Sequence, residues 1–292
     1  MSAAPSVPSR VWSGTALQIA GQLVQRGGTF VALVLLSRHL SEAEFGRYTF
    51  YVGVFAFLDA LTDFGTSQVA VQRTANDPWA VPGTLRVARR IRIALASAGA
   101  LGLALATWTS GEPGWVWIAL AGLYPLSHAL ELSALVWRNQ LEWRKPVLIR
   151  ASGSLVRVGL LVGLLALDVQ SAAVYVLATA LGSSLANFGL HWAARKELPK
   201  PTIAVAAPRG LIVQCAWLGA AGLCQQAYFY VDGLYVRAWC APEALGHYNA
   251  GVRLLSFAIM VAQYASVTSL PWLARERDRD GTGAGRAAAT LG

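Results

Sequence analysis

Eight apolar runs, each long enough to cross a bilayer as a helix, constrain this chain more than any other feature. They occupy about 12–36, 48–72, 90–109, 115–137, 147–167, 172–194, 210–234 and 248–273. A helix of about 20 apolar residues, rising 1.5 Å per residue, spans the hydrocarbon. Pro, Gly and charge separate the runs, as at 110–114 and 198–201. Hydrophobic residues make up 55% of the chain and charged residues only 13%, half the roughly 25% charged of an ordinary soluble domain. A soluble pair of domains and intrinsic disorder are both excluded. Three cysteines exclude a dense disulfide scaffold. The first run is too long for a removable signal peptide and lacks a small-residue cleavage site. The expected fold class is therefore all-α: a polytopic membrane protein with eight transmembrane helices.

The net charge of +9 does not point to nucleic acid, because the basic residues sit between apolar runs, where they set topology. With the N-terminus placed in the cytoplasm, eighteen Lys and Arg fall on the cytoplasmic side, among them Arg86, Arg89, Arg90, Arg92, Arg138 and Arg150. Three (Arg38, Arg47 and Arg237) fall outside, and three (Arg26, Arg157 and Arg253) lie within spans. Most tryptophans, including Trp12, Trp79, Trp108, Trp115 and Trp192, fall near span ends, as an interfacial belt requires.

Leu-Ser-Glu-Ala-Glu-Phe-Gly-Arg-Tyr at 40–48 is echoed by Ala-Pro-Glu-Ala-Leu-Gly-His-Tyr at 241–248, with Gly46 and Gly246, and Tyr48 and Tyr248, both 200 residues apart. Six spans separate the two copies, and repeats of this kind mark secondary transporters. The expected organisation is a six-helix bundle over 1–197, the first two helices of a second bundle over 198–275, and a tail or the start of a ninth helix over 276–292.

Charges within spans are costly, about 2.5–3.5 kcal/mol at mid-span on insertion scales, and are functional candidates by default. Arg26 lies roughly 21 Å from the inner end of the first run, and Asp59 roughly 17 Å deep in the second, at similar depth. Asp63 follows four residues on, on the same face. Either Arg26 offers a forked cation to an anionic ligand while Asp59 or Asp63 holds it or relays a proton, or Arg26 and Asp59 form a structural ion pair. Asp232 and Arg253 form a second potential pair nearer the outer surface. Arg157 has no acidic neighbour in sequence, so it either faces a water-filled cavity and an anionic ligand or bonds to carbonyls of another helix. His128 and Glu131 share a face of the fourth run; a metal would need more ligands, so an interhelical polar contact is expected. Gly159 and Gly163 form a GxxxG that favours close helix packing. No metal or cofactor site emerges.

Three stretches carry a family resemblance: Leu-Ser-Arg-His-Leu-Ser-Glu-Ala-Glu-Phe-Gly-Arg-Tyr (36–48) with Leu-Thr-Asp-Phe-Gly (61–65); Arg-Asn-Gln-Leu-Glu-Trp-Arg-Lys-Pro (138–146); and Tyr-Val-Asp-Gly-Leu-Tyr-Val (230–236) with Leu-Pro-Trp-Leu-Ala (270–274). They resemble the polysaccharide flippases of the multidrug/oligosaccharidyl-lipid/polysaccharide exporter superfamily. The resemblance implies two six-helix bundles, of which this chain carries one and the start of the other, so it looks truncated. It also implies translocation, not enzymatic chemistry. The substrate would be an undecaprenyl-diphosphate-linked oligosaccharide, crossing the bacterial inner membrane by alternating access during lipopolysaccharide or other surface-polysaccharide synthesis. Partners would be that lipid, membrane lipids, and a polymerase or glycosyltransferase. Alternatives are a drug/cation antiporter of the same superfamily, disfavoured by Arg26 and Arg157 but kept open by Asp59 and Asp63, an inactive fragment, and a membrane glycosyltransferase, for which the short outer loops leave little room.

Overall fold

The computed structural model describes residues 7–198, 210–239, 262, 265–270 and 272–273. Among the described residues every regular element is helical. Helix α1 (Val7–His39) leads to α2 (Glu42–Asp63) and the short α3 (Thr66–Thr74), then α4 (Val81–Thr109). Next comes an irregular span of α5 (Trp115–Ala121), α6 (His128–Glu131) and α7 (Leu135–Asn139), joined by 3-10 turns. The long α8 (Arg144–Ala166), α9 (Ala172–Ala194) and α10 (Leu211–Trp239) follow. Five segments are long and apolar enough to cross a membrane: Trp12–His39, Val81–Thr109, Trp115–Asn139, Arg144–Ala166 and Ala172–Ala194. Helix α2, about 33 Å long at 1.5 Å per residue, runs antiparallel between the first and second of these. The seventh expected span coincides with α10. The eighth lies largely outside the described residues, as do the second copy of the repeat and the tail.

The chain alternates between two ends. At one end, Arg47 pairs with Glu44 at 2.7 Å and Glu112 at 3.3 Å, and the Ala172 N–H donates to Glu44 at 2.6 Å. Three loops that the sequence assigned to one side are thereby joined. Ser41 accepts from the Glu44 N–H and so caps the start of α2. At the opposite end Lys145 and the Trp137 indole N–H both reach Glu197, at 2.9 and 2.8 Å.

Helix α2 buries Tyr48, Tyr51, Phe55, Leu58 and Thr62, a spacing of three and four that makes one stripe. The stripe packs with Leu36 of α1, Leu40 just after it, Ile118 of α5 and Tyr175 and Val176 of α9 into the main apolar core. The periphery is equally apolar: Leu101, Trp108, Leu120, Leu155, Leu185 and Phe188 are all exposed. That is the surface a bilayer covers.

Two departures from the sequence expectation matter. The run 48–72 is a broken helix. Phe64 (φ 36°) and Gly65 (φ 72°) both adopt the left-handed conformation between α2 and α3, a costly one for Phe. The break lets α10 approach: a Cβ on Gly65 would lie 2.8 Å from the Leu218 Cβ and 3.0 Å from the Gly219 nitrogen. The second departure concerns Gly159 and Gly163. A Cβ on either would meet nothing within 4 Å, so this pair does not mediate close packing. Close approach of α8 to α9 falls instead at Gly153, whose Cβ would lie 3.1 Å from the Ala186 Cα, and at Gly182, 2.8 Å from the Arg157 Cα.

These glycines make a paired prediction. Gly65→Ala is expected to destabilise the protein by about 1–3 kcal/mol, through left-handed strain and the clash with α10. Gly159→Ala, in an open helix interior, is expected to be neutral or stabilising by up to about 1 kcal/mol. Thermal midpoints of the detergent-purified variants check both. Equal midpoints for the two would contradict the packing described.

Candidate functional site

Two helices break at the same depth, and the groups freed by the breaks are gathered by one arginine. Arg92, the twelfth residue of α4, is 1% exposed. Its Nε donates to Thr66 Oγ1 at 2.8 Å, Nη1 to the His128 carbonyl at 2.7 Å, and Nη2 to Ser67 Oγ at 2.7 Å and to the Asp63 carboxylate. Thr66 and Ser67 open α3 just past the Phe64–Gly65 break. The His128 carbonyl belongs to the irregular fourth span, where Pro125 lacks an N–H. Backbone groups released by helix breaks within a membrane must be satisfied by neighbouring side chains; Arg92 does this for the His128 carbonyl, and at the α2–α3 break it holds the side chains of Asp63, Thr66 and Ser67. One turn earlier Arg89 donates to the Ala129 carbonyl at 3.1 Å and to Ser133 Oγ at 2.7 Å, and Ser133 also contacts His191 Nδ1 at 2.7 Å.

From Arg92 a charged network crosses the bundle. Glu131 lies 3.7 Å from Arg92 Nη1 and pairs closely with Arg150 of α8. Its other side meets His128 Nδ1 at 2.9 Å. His128 Nε2 lies 3.1 Å from Asp59 Oδ1 and 3.0 Å from the Tyr124 hydroxyl, which donates to Asp59 Oδ2.

Beside this network lies a cavity of about 180 Å³, lined by Gln25, His128, Glu131, Arg150, Ser154, Arg157 and Asn187 among others. A second hollow, about 260 Å³, continues from the shared residues Gln25, Glu131 and Arg150 to Gln18, Gln22, Asp63, Arg138 and Val267. The walls are polar at mid-span, between helices whose outer faces are apolar. Arg157 bonds to Thr29 Oγ1 at 2.7 Å and reaches Ser154 Oγ at 3.5 Å, with no carboxylate partner among the described residues. Arg138 forms no hydrogen bond or ion pair among the described residues. The three carboxylates of the network are paired with Arg92, Arg150 and His128. Arg138, which feels Glu131 and Asp63 only at a distance, and Arg157 therefore leave the site with an excess of positive charge, complementary in sign to an anion.

Of the six residues singled out from sequence, Asp59, Asp63 and Arg157 come together here. Arg26 does not join them. It is exposed, makes no hydrogen bond or ion pair among the described residues, and sits about 100° round the helix from the cavity-lining Gln25. The expected Arg26–Asp59 pair is not formed, because Asp59 is taken by Tyr124 and His128. The side chain of Asp232, on α10, and the whole of Arg253 lie outside the described residues. His128 and Glu131 make the expected interhelical contact. Sequence reasoning missed Arg92, Arg138 and Arg150 by assigning them to cytoplasmic loops. The overlooked signal was Arg89 and Arg92, three apart on one face, with Val81-Pro82 as a helix start.

Among solved structures the chain is similar to an outward-facing conformation of a multidrug resistance MATE family transporter of the MOP superfamily. The TM-score is 0.74, covering 97% of this chain and 68% of that one, at 13% identity. The model of the polysaccharide biosynthesis protein family matches residues 11–276, and the chain belongs to that family. The resemblance drawn from its loops is borne out. No curated protein matches the chain.

Arg92→Met is expected to destabilise the fold by about 3–5 kcal/mol, because it leaves Asp63 without its cationic partner and the His128 carbonyl without its donor. Arg92→Lys restores the charge but not the fork and is expected to rescue only in part. Arg90→Met, at an exposed position, should have no such effect. Thermal midpoints in detergent that are equal for Arg92→Met and Arg90→Met would contradict this role.

Proposed function

We propose that the chain translocates a lipid-linked oligosaccharide carrying a diphosphate, in the undecaprenyl-linked form, across the bacterial inner membrane with its N-terminus cytoplasmic. The diphosphate is held at Arg138, Arg150 and Arg157 while the lipid tail remains in the bilayer. The observation that carries this reading is the unbalanced cationic lining of a polar cavity at mid-membrane, in a member of the polysaccharide biosynthesis family. Forked guanidiniums match phosphate oxygens two at a time. Gln18, Gln22, Gln25 and Asn187 add neutral hydrogen-bonding groups of the kind that suit sugar hydroxyls.

Transport of a cationic drug is the competing reading, supported by the multidrug transporter of similar fold and by Asp59, Asp63 and Glu131. It requires a carboxylate available to the substrate, and here each is engaged by an arginine or His128. The arrangement therefore favours the anionic substrate.

Arg157→Ala is expected to reduce complementation of a flippase-deficient strain, with headgroup affinity falling about tenfold to a hundredfold at unchanged expression. Arg26→Ala should fall far less. Full complementation by Arg157→Ala, or loss only with Arg26→Ala, would contradict the assignment.

A further inference from the structure

His128 is placed in an unusual way at the wall of this cavity. Its Nδ1 faces Glu131 Oε2 at 2.9 Å, and its Nε2 faces Asp59 Oδ1 at 3.1 Å and the Tyr124 oxygen at 3.0 Å. The Tyr124 hydroxyl proton is already given to Asp59 Oδ2 at 2.5 Å, so toward His128 the Tyr124 oxygen can only accept. Both ring nitrogens therefore face acceptors alone. With both carboxylates ionised, only the imidazolium, with two N–H groups, satisfies that arrangement; either neutral tautomer then points a lone pair at an acceptor oxygen.

The charged groups around the ring come from every neighbouring element. Helix α2 supplies Asp59. The ring's own span supplies Tyr124 and Glu131. Helix α4 supplies Arg92, which holds the His128 carbonyl and lies 3.7 Å from Glu131. Helix α8 supplies Arg150, paired with Glu131, and Arg157 on the cavity wall. From α9 only the neutral Asn187 reaches this region, bonding to Ser127 at 2.9 Å.

Glu131 thus divides its charge among His128, Arg92 and Arg150. When His128 releases its proton to solvent, imidazolium becoming imidazole, Glu131 loses one of three cationic neighbours and leans harder on Arg150. The cavity loses one positive charge at the same time. An anion entering the cavity competes with Glu131 for Arg150, so it is helped by a proton on His128. By linkage, the proton is held more firmly when the anion is present.

We propose that His128 is a proton-binding site coupled to the arginine cavity: an anionic headgroup and a proton on His128 bind together, with Glu131 carrying the coupling. This rests on the anionic ligand proposed above.

The test is calorimetric titration of the detergent-purified full chain with a short-chain dialkyl diphosphate, a diester whose phosphates do not titrate across about pH 5–10, in buffers of differing ionisation heat. Affinity should be constant while the free protein already holds the His128 proton, and should fall as pH rises through the loss of that proton, by up to about tenfold per pH unit, the limit for one coupled proton. Proton uptake should be absent at low pH and rise toward one per ligand bound in that upper interval. His128→Gln should bind with pH-independent affinity and take up none. Glu131→Gln should bind more tightly than wild type at high pH, because Arg150 is released; this variant serves if His128→Gln does not fold. Wild-type binding without proton uptake, undiminished pH dependence in His128→Gln, or weaker binding by Glu131→Gln at high pH would each overturn the coupling. Absence of binding at every pH would instead overturn the anionic ligand, and the coupling with it.

Discussion

The structure depends on a guanidinium held where charge is most expensive. Arg92 is enclosed between α2, α3 and the irregular fourth span, and four hydrogen bonds to those elements use its fork. A charge in the hydrocarbon region persists only when it is paired and hydrogen-bonded. The two helix breaks in turn expose carbonyls and hydroxyls that a straight helix would satisfy internally or turn to lipid. Arginine and breaks therefore stabilise each other, and neither survives alone.

That mutual dependence explains which arginines are available to a ligand. Arg92 and Arg89 spend their donors on the protein itself. Arg150 shares a carboxylate, Glu131, with two other cations. Arg157 leans on hydroxyls only, and Gly182 lets its backbone pack against α9 without a side chain between them. The result is a graded set: fixed cations at the back of the network and less committed ones on the cavity wall. The apolar stripe of α2 fills the end of the same bundle that holds Glu44, Arg47 and Glu112.

Much of this was legible in the chain. Run length and the spacing of charged turns reveal helical spans, and the loops assigned to one side do meet through Glu44, Arg47 and Glu112. The isolation of Arg157 from acidic residues in sequence pointed to a cavity, which it lines. Hydropathy misled at span ends. Arg92, Arg138 and Arg150 lie close to the edges of apolar runs, where the same residues serve as topology signals, and only three-dimensional packing distinguishes a buried guanidinium from a loop cation. The Arg26–Asp59 pairing failed for a related reason. Equal depth does not fix azimuth, and one residue of rotation turns a side chain by about 100°. The Phe64–Gly65 break left a trace in Asp-Phe-Gly, but the contact it permits, with α10 some 150 residues later, is a long-range one that no local pattern carries.

The most direct test is where the lipid-linked substrate touches the protein in the membrane. A photo-crosslinking side chain at Ser183, on the cavity wall, is expected to capture the headgroup of a lipid-linked oligosaccharide. The same group at the lipid-facing Leu155 should capture ordinary lipid only. Headgroup capture at Leu155 with none at Ser183 would show that the substrate does not pass through the arginine-lined hollow.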